Sequence, residues 1–320
     1  MEIGADRFPY FYGNRFQKRV DDYCAARLYP RSVLNDWRIC MKHALVQHWM
    51  TSPVITCDPA TRLHDALRIM NRHQIRAMPI VDQGRLVGIV TKRDLLRADV
   101  TPVIRDSWEQ YRMAGNLTME KIMTTGVITT RPDVPAAKAA RVLMENKITA
   151  LPVLDRQQAL VGILTASDLF RLIIEEVPLL GESIRVHEYM TADVQTAEPT
   201  TTLLAAQRMM AVKRIRALPV LQNGLLIGIV TRTDLLSAAP SVVTTQGRLE
   251  VTEMVLNTPL QFIMTTKPIT IGEEQPITEA ARLMLENKIH ALPVLDSDQD
   301  LCGIITETDL FRLIVHKFLG

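Results

Sequence analysis

Four times along the chain, a Met-Thr pair is followed by a proline inside an apolar run, and the methionine-to-proline distance is 29 residues each time. The pairs are Met50 and Pro79, Met123 and Pro152, Met190 and Pro219, and Met264 and Pro293. Chance does not hold a spacing fixed over four copies. The chain is built from four copies of one small supersecondary unit. A unit of this size cannot bury both faces of its own sheet, so pairing two units is the natural way to complete a core.

A second spacing divides the copies. From the proline to a later aspartate the distances are 15, 16, 15 and 16, ending at Asp94, Asp168, Asp234 and Asp309. Repeats one and three are therefore alike, as are two and four. The even repeats also share Glu-Asn-Lys-Ile (145–148 and 286–289) and Asp-Leu-Phe-Arg-Leu-Ile (168–173 and 309–314). Successive methionines lie 73, 67 and 74 residues apart, so the longer connections fall inside the pairs 1–2 and 3–4. This pattern implies a two-repeat unit duplicated whole. It predicts a first pair over 47–176 and a second over 187–320, after an N-terminal extension of 1–46.

Within a repeat the periodicity predicts strand, helix, strand, strand, helix. In the first, Val54-Ile55-Thr56 is a short β-type run, and Leu63, Ala66, Leu67, Ile69 and Met70 recur at helical spacing. Two strands follow, separated by Gln83-Gly84. The equivalent Asn223-Gly224 is a strong hairpin signal because both residues tolerate positive φ. In the even repeats this turn becomes a loop one residue longer. The expected fold class is α/β, with four βαββα repeats in two pseudo-twofold pairs. The helical methionines Met70, Met144, Met210 and Met284 are expected to fill the core.

Charge and composition narrow the function. Residues 1–40 carry a net charge of +2, and the other 280 hold 30 basic and 30 acidic side chains. A chain without a basic excess there lacks the usual footprint of a nucleic-acid binder. At 47% hydrophobic and 22% charged residues it reads as globular. No apolar run reaches the roughly 18 residues of a membrane span, and no secretory signal is visible. Cys24, Cys40, Cys57 and Cys302 show neither C-x-x-C spacing nor a disulfide framework, which fits a reduced cytoplasm and no metal site.

Gly-Ile-Val-Thr-Lys-Arg-Asp (88–94), Gly-Ile-Leu-Thr-Ala-Ser-Asp (162–168), Gly-Ile-Val-Thr-Arg-Thr-Asp (228–234) and Gly-Ile-Ile-Thr-Glu-Thr-Asp (303–309) carry a resemblance. Each segment resembles a CBS domain, the regulatory module named after cystathionine beta-synthase. The resemblance runs from about Gln47 to the C-terminus. It implies pseudo-twofold pairs whose clefts bind adenosine compounds such as AMP, ADP or ATP, with S-adenosylmethionine a further candidate. It also implies that two pairs pack as a disk, within one chain or across a homodimer.

The repeated corner has two chemical readings. A threonine with an acidic residue three positions later is a capping box and needs no ligand. The same geometry also suits a nucleotide. The helix start and the hydroxyls of Thr91, Thr165, Thr231 and Thr306 favour a phosphate. Asp94, Asp168, Asp234 and Asp309, as acceptors, suit the hydroxyls of a ribose. Gly88, Gly162, Gly228 and Gly303 allow either tight packing of the following helix or the approach of a flat base.

The resemblance adds further positions. Three residues before each proline, Arg76, Thr149, Arg216 and His290 would line the cleft. Arg76, Arg216 and His290 could hold phosphate there, whereas Thr149 cannot supply charge. Lys92, Arg93 and Arg232 are additional phosphate candidates. Five residues after each methionine, Ile55, Ile128, Gln195 and Ile269 would lie beside the adenine. Gln195 departs from the apolar pattern.

No G-x-x-x-x-G-K-[ST], G-x-G-x-x-G or H-E-x-x-H is present, and no Ser or Cys nucleophile has a supporting motif. Almost no length outside the repeats is left for a catalytic domain. The expectation is a non-enzymatic cytoplasmic sensor that signals to a separate effector protein. The alternatives are a ligand-free assembly scaffold, then an enzyme, then a nucleic-acid binder. Residues 1–49 hold nine of the sixteen aromatics, among them Phe8, Tyr10, Phe11, Tyr12 and Phe16. They read as a docking arm, as a helix covering the repeats, or as sequence upstream of a true start at Met41.

Overall fold

The first repeat shows how the local pattern becomes structure. In the computed structural model, α1 (Leu63–His73) buries Leu63, Ala66 and Met70 along one face. It ends at Gln74, whose left-handed backbone (φ 54°) stops the helix. β1 (Ala77–Asp82) and β2 (Arg85–Thr91) form an antiparallel hairpin. Gln83 and Gly84 turn it with φ of 46° and 79°, the positive values a two-residue hairpin turn demands. α2 (Lys92–Ile104) closes the repeat. Residues 44–104, 117–180, 183–238 and 249–319 are described. The aromatic arm and Met41 lie outside the described residues.

The second repeat holds α3 (Ala136–Asn146), β3 (Ala150–Leu154), β4 (Leu160–Thr165) and α4 (Ala166–Glu176). The third holds α5 (Leu203–Lys213), β5 (Ala217–Gln222), β6 (Leu225–Thr231) and α6 (Arg232–Ala238). The fourth holds β7 (Thr265–Thr266), β8 (Ile271–Gly272), α7 (Ile277–Asn287), β9 (Ala291–Leu295), β10 (Leu301–Thr306) and α8 (Glu307–Leu319). In the even repeats an aspartate organises the longer hairpin loop. Asp155 Oδ1 accepts from the amides of Gln157 and Ala159, and Asp296 Oδ1 from those of Asp298 and Asp300.

The first strand of each repeat is shorter than expected, because the Met-Thr segment is shared between two sheets. Thr51 bridges Ile163 of the second repeat, and Cys57 bridges Ile80 of its own. Thr124 bridges Ile89 and Thr130 bridges Val153. In the second pair, Thr191 bridges Ile304 while β7 pairs with β6. Each repeat thus lends an edge segment to its partner, which satisfies that sheet's exposed backbone groups.

The motif glycines belong to this exchange. A Cβ on Gly88 would fall 2.4 Å from Sδ of Met123, and one on Gly162 would fall 2.3 Å from Sδ of Met50. Gly228 meets Met264 and Gly303 meets Met190 in the same way. The neighbour is the partner repeat's opening methionine, not the following helix and not an open space for a base. Ala77, Ala150 and Ile163, with Val54 and Ile89, form the apolar seam of the first pair. Ala217, Ile229 and Ile304, with Val194 and Ala291, form that of the second.

The two pairs meet within one chain. α3 packs on α8, α4 on α7, and α2 on α6. This explains the richer apolar pattern of the even repeats. Leu169, Phe170, Leu172 and Ile173 on α4, and Leu310, Phe311, Leu313 and Ile314 on α8, are all buried. These helices cover their own sheet and also the other pair. Met70, Met210 and Met284 fill cores as expected. In the second repeat Leu143 takes the buried position, and Met144 is half-buried.

Candidate functional site

At each strand-to-helix corner the backbone is accounted for first. Asp94 Oδ2 accepts from the Thr91 amide (2.9 Å) and hydroxyl (2.5 Å). The same two bonds measure 2.7 and 2.7 Å at Thr165 and Asp168, 2.8 and 2.7 Å at Thr231 and Asp234, and 2.8 and 2.7 Å at Thr306 and Asp309. The capping reading therefore holds four times. The next amide along is also used. Those of Lys92, Ala166, Arg232 and Glu307 donate to the carbonyls of Arg76, Thr149, Arg216 and His290 at 2.8, 3.2, 2.8 and 3.0 Å. Anion binding at these corners falls to side chains more than to helix amides.

The second carboxylate oxygen separates the corners into two kinds. Asp168 Oδ1 accepts from Thr51 Oγ1 (3.0 Å) and from Arg171, and Asp309 Oδ1 accepts from Arg312 (2.8 Å). Both aspartates are buried. Burial pushes the Asp309 carboxyl up, against the pull of Thr306 and Arg312. Asp94 and Asp234 are half-exposed, and among the described residues their Oδ1 atoms accept no hydrogen bond. An oxygen free to meet a ligand hydroxyl is thus found in the odd repeats.

The residues ahead of the motif strands converge. Arg216 Nη1 lies 2.5 Å from Oε1 of Glu307, and its Nη2 donates to the Lys147 carbonyl at 2.9 Å. His290 Nδ1 lies 3.0 Å from Oε2 of the same glutamate, as an ion pair when the imidazole is protonated. Arg76 donates to the Lys288 carbonyl, and Lys288 in turn reaches Gln74. Lys147 and Lys288 have left-handed backbones ending α3 and α7, so both arginines rest at the negative end of a helix. Among the described residues Thr149 contributes only its carbonyl, to the Ala166 amide.

Glu307 is 4% exposed. Burial opposes its ionisation, but His290, Arg216 and Arg76 outweigh that and hold its carboxyl below the usual range. Arg93 faces the same group. Its guanidinium is depressed by burial and by Arg216 and Arg232, and its Nε is buried with no hydrogen-bond partner among the described residues. Arg76 is likewise depressed, chiefly by burial. Three arginines, Arg76, Arg93 and Arg216, and His290 thus crowd one carboxylate.

Strand register sets the adenine candidates beside these corners. Cys57 bridges Ile80 in parallel, so Ile55 stands level with Met78, one row from the Ala77–Thr91 pair. The same offset puts Ile128 level with Leu151, Gln195 with Leu218 and Ile269 with Leu292. Ile128 and Ile269 are exposed, 40% and 38%, large apolar side chains open at the edge of a sheet. Ile55 packs partly against its own core.

Sequence reasoning missed three sets of groups. Arg171 and Arg312 were legible as the arginine three residues after an aspartate in the shared even-repeat motif. Glu307 was legible as the acidic residue at a place where the other repeats have Lys92, Ala166 and Arg232. The carbonyls of Lys147 and Lys288 left no signal in residue type.

Paired βαββα repeats with a Thr-x-x-Asp corner in each define a CBS-pair protein. The CBS domain profile matches residues 46–101, 119–175, 186–241 and 261–316, and the chain belongs to that family, with four domains in two tandem pairs. It is similar to the uncharacterized protein MJ1225 of Methanocaldococcus jannaschii, 29% identical over 271 residues, 81% of this chain and 94% of that one. The crystal structure of MJ1225, a proposed archaeal homologue of g-AMPK, matches with a TM-score of 0.71 at 27% identity, covering 84% and 99%. An uncharacterized 33.4 kDa protein in a ribosomal RNA operon of Thermofilum pendens is 30% identical over 267 residues, 81% of this chain and 87% of its own. Among the described residues no helix is long and apolar enough to cross a membrane.

Proposed function

We propose that this protein is a non-enzymatic cytoplasmic regulator that binds adenine nucleotides, of the AMP, ADP or ATP class, in the clefts between paired repeats. The observation that carries the reading is the open Oδ1 of Asp94 and of Asp234, beside Arg76 and Arg216 respectively at the end of the same strand pair. A carboxylate oxygen accepts two ribose hydroxyls well, and a guanidinium fork suits a phosphate. Ile55, Ile128 and Ile269 offer apolar surface for a base; Gln195 offers an amide to its edge. Thr91, Thr165, Thr231 and Thr306 spend their hydroxyl protons on the caps and retain lone pairs. The similarity to a proposed archaeal g-AMPK homologue supports an energy-sensing role.

Ligand entry would favour one mutual orientation of the repeats, and an effector protein would read that orientation. A second reading, a ligand-free scaffold, is favoured at Asp168 and Asp309, whose oxygens are both engaged. A ribose there must first displace Arg171 or Arg312. The test is calorimetry of metabolite-free protein with AMP, ADP, ATP and S-adenosylmethionine. Heat with an adenine nucleotide, reduced by one site in Asp94→Ala or Asp234→Ala and abolished in the double variant, supports the sensor. No heat with any of them supports the scaffold.

A further inference from the structure

The three side chains assigned to phosphate in the odd repeats and the fourth repeat do not face an open space. Arg216 and His290 close on the two oxygens of Glu307, at 2.5 and 3.0 Å, and Arg76 and Arg93 attract the same carboxylate. Glu307 is the first residue of α8, directly after Thr306, and its amide is bonded to the His290 carbonyl. Its position is therefore fixed by backbone as well as by charge. The corresponding residues of the other repeats are Lys92, Ala166 and Arg232, none of them acidic. A carboxylate in this place needs a reason, because burying it costs ionisation free energy that neighbouring cations must offset.

We propose that Glu307 is an intramolecular anion that occupies the place of a ligand phosphate, competing for Arg216 and His290 and setting how strongly this corner takes a phosphorylated ligand. The inference rests on the phosphate role given above to Arg216 and His290. It names the residue that tunes that role. An incoming phosphate must either displace the Glu307 side chain or share its cations. A ligand with no phosphate has no such contest. The corner thereby discriminates by the charge of the ligand's tail. Arg93, whose buried Nε lacks a partner among the described residues, is placed to take up the displaced or added anion. Arg232, whose guanidinium is depressed by burial and then by Arg97 and Arg216, adds further positive charge beside Arg216.

Glu307→Gln keeps the shape and removes the charge. Wild type and E307Q are titrated with inorganic pyrophosphate, AMP and adenosine, by calorimetry and by thermal shift. The expected result is a gain of about tenfold for pyrophosphate and AMP in E307Q, with adenosine unchanged. A pyrophosphate gain without any AMP binding supports the role of Glu307 and removes the nucleotide reading. Equal AMP and equal pyrophosphate binding by the two proteins overturns the role of Glu307 and leaves the nucleotide reading standing. Absence of all binding overturns both. If E307Q does not fold, Glu307→Asp carries the test, since a shorter acid cannot span Arg216 and His290 together. A partial gain for pyrophosphate supports the proposal, and no gain overturns it.

Discussion

Arg216 and Glu307 join the third repeat to the fourth through an ion pair of 2.5 Å, and the same guanidinium reaches the end of α3 in the other pair. One side chain thus ties three of the four repeats together. The pair is mostly shielded from water, so the loss of either partner leaves a charge with reduced hydration.

Glu307→Gln is therefore expected to lower stability at neutral pH by about 3 kcal/mol. The pH dependence has a definite sign. A carboxyl held below its usual 4.5 contributes stability that is complete above that value and lost as pH falls through its folded value. Wild type should lose stability on acidification below about 4.5 more steeply than E307Q. Urea unfolding of both proteins across that range checks it. The difference between them cancels Asp309, whose raised carboxyl acts in the opposite sense.

The two kinds of corner should respond differently to alanine. Asp168→Ala and Asp309→Ala remove buried acceptors with both oxygens engaged, and each should cost about 2–3 kcal/mol. Asp94→Ala and Asp234→Ala lose mainly a cap, about 1 kcal/mol. They should instead lose nucleotide binding. Denaturant midpoints and calorimetry on the four variants separate the effects.

Gly162→Ala drives a methyl into the Met50 thioether, and Gly88→Ala does the same at Met123. Each should destabilise by about 1–3 kcal/mol. Shortening the partner should relieve this, so the double variant G162A/M50A should be less destabilised than the sum of its single changes. Additive effects would show that the two residues do not constrain each other.

Phe170 and Phe311 are buried on helices that also pack against the other pair. Truncation of either to alanine should cost about 3–5 kcal/mol. Unfolding monitored separately for the two pairs should show weakened coupling between them.

Much of this fold was legible in the sequence because its causes are local. Fixed spacings, a Gln-Gly or Asn-Gly turn and helical periodicity are written in neighbouring residues. The pairing of Gly88 with Met123 was not, since it depends on an edge segment crossing to the partner sheet. The candidate site was legible to the level of residue type. Thr91 and Asp94 announce a corner, yet whether Oδ1 is open depends on Thr51, Arg171 and Arg312, which approach from elsewhere or from one turn on. Arg76 and Arg216 read as cations in search of an anion. That the nearest anion is Glu307, from a different repeat, follows only from how the pairs pack.

Native mass spectrometry of metabolite-free protein titrated with AMP tests the central claim most directly. The account predicts two nucleotides per chain, at the corners of Asp94 and Asp234, one lost in each single alanine variant and both lost in the double variant. A wild-type chain that stays unliganded at saturating AMP, ADP and ATP would contradict it.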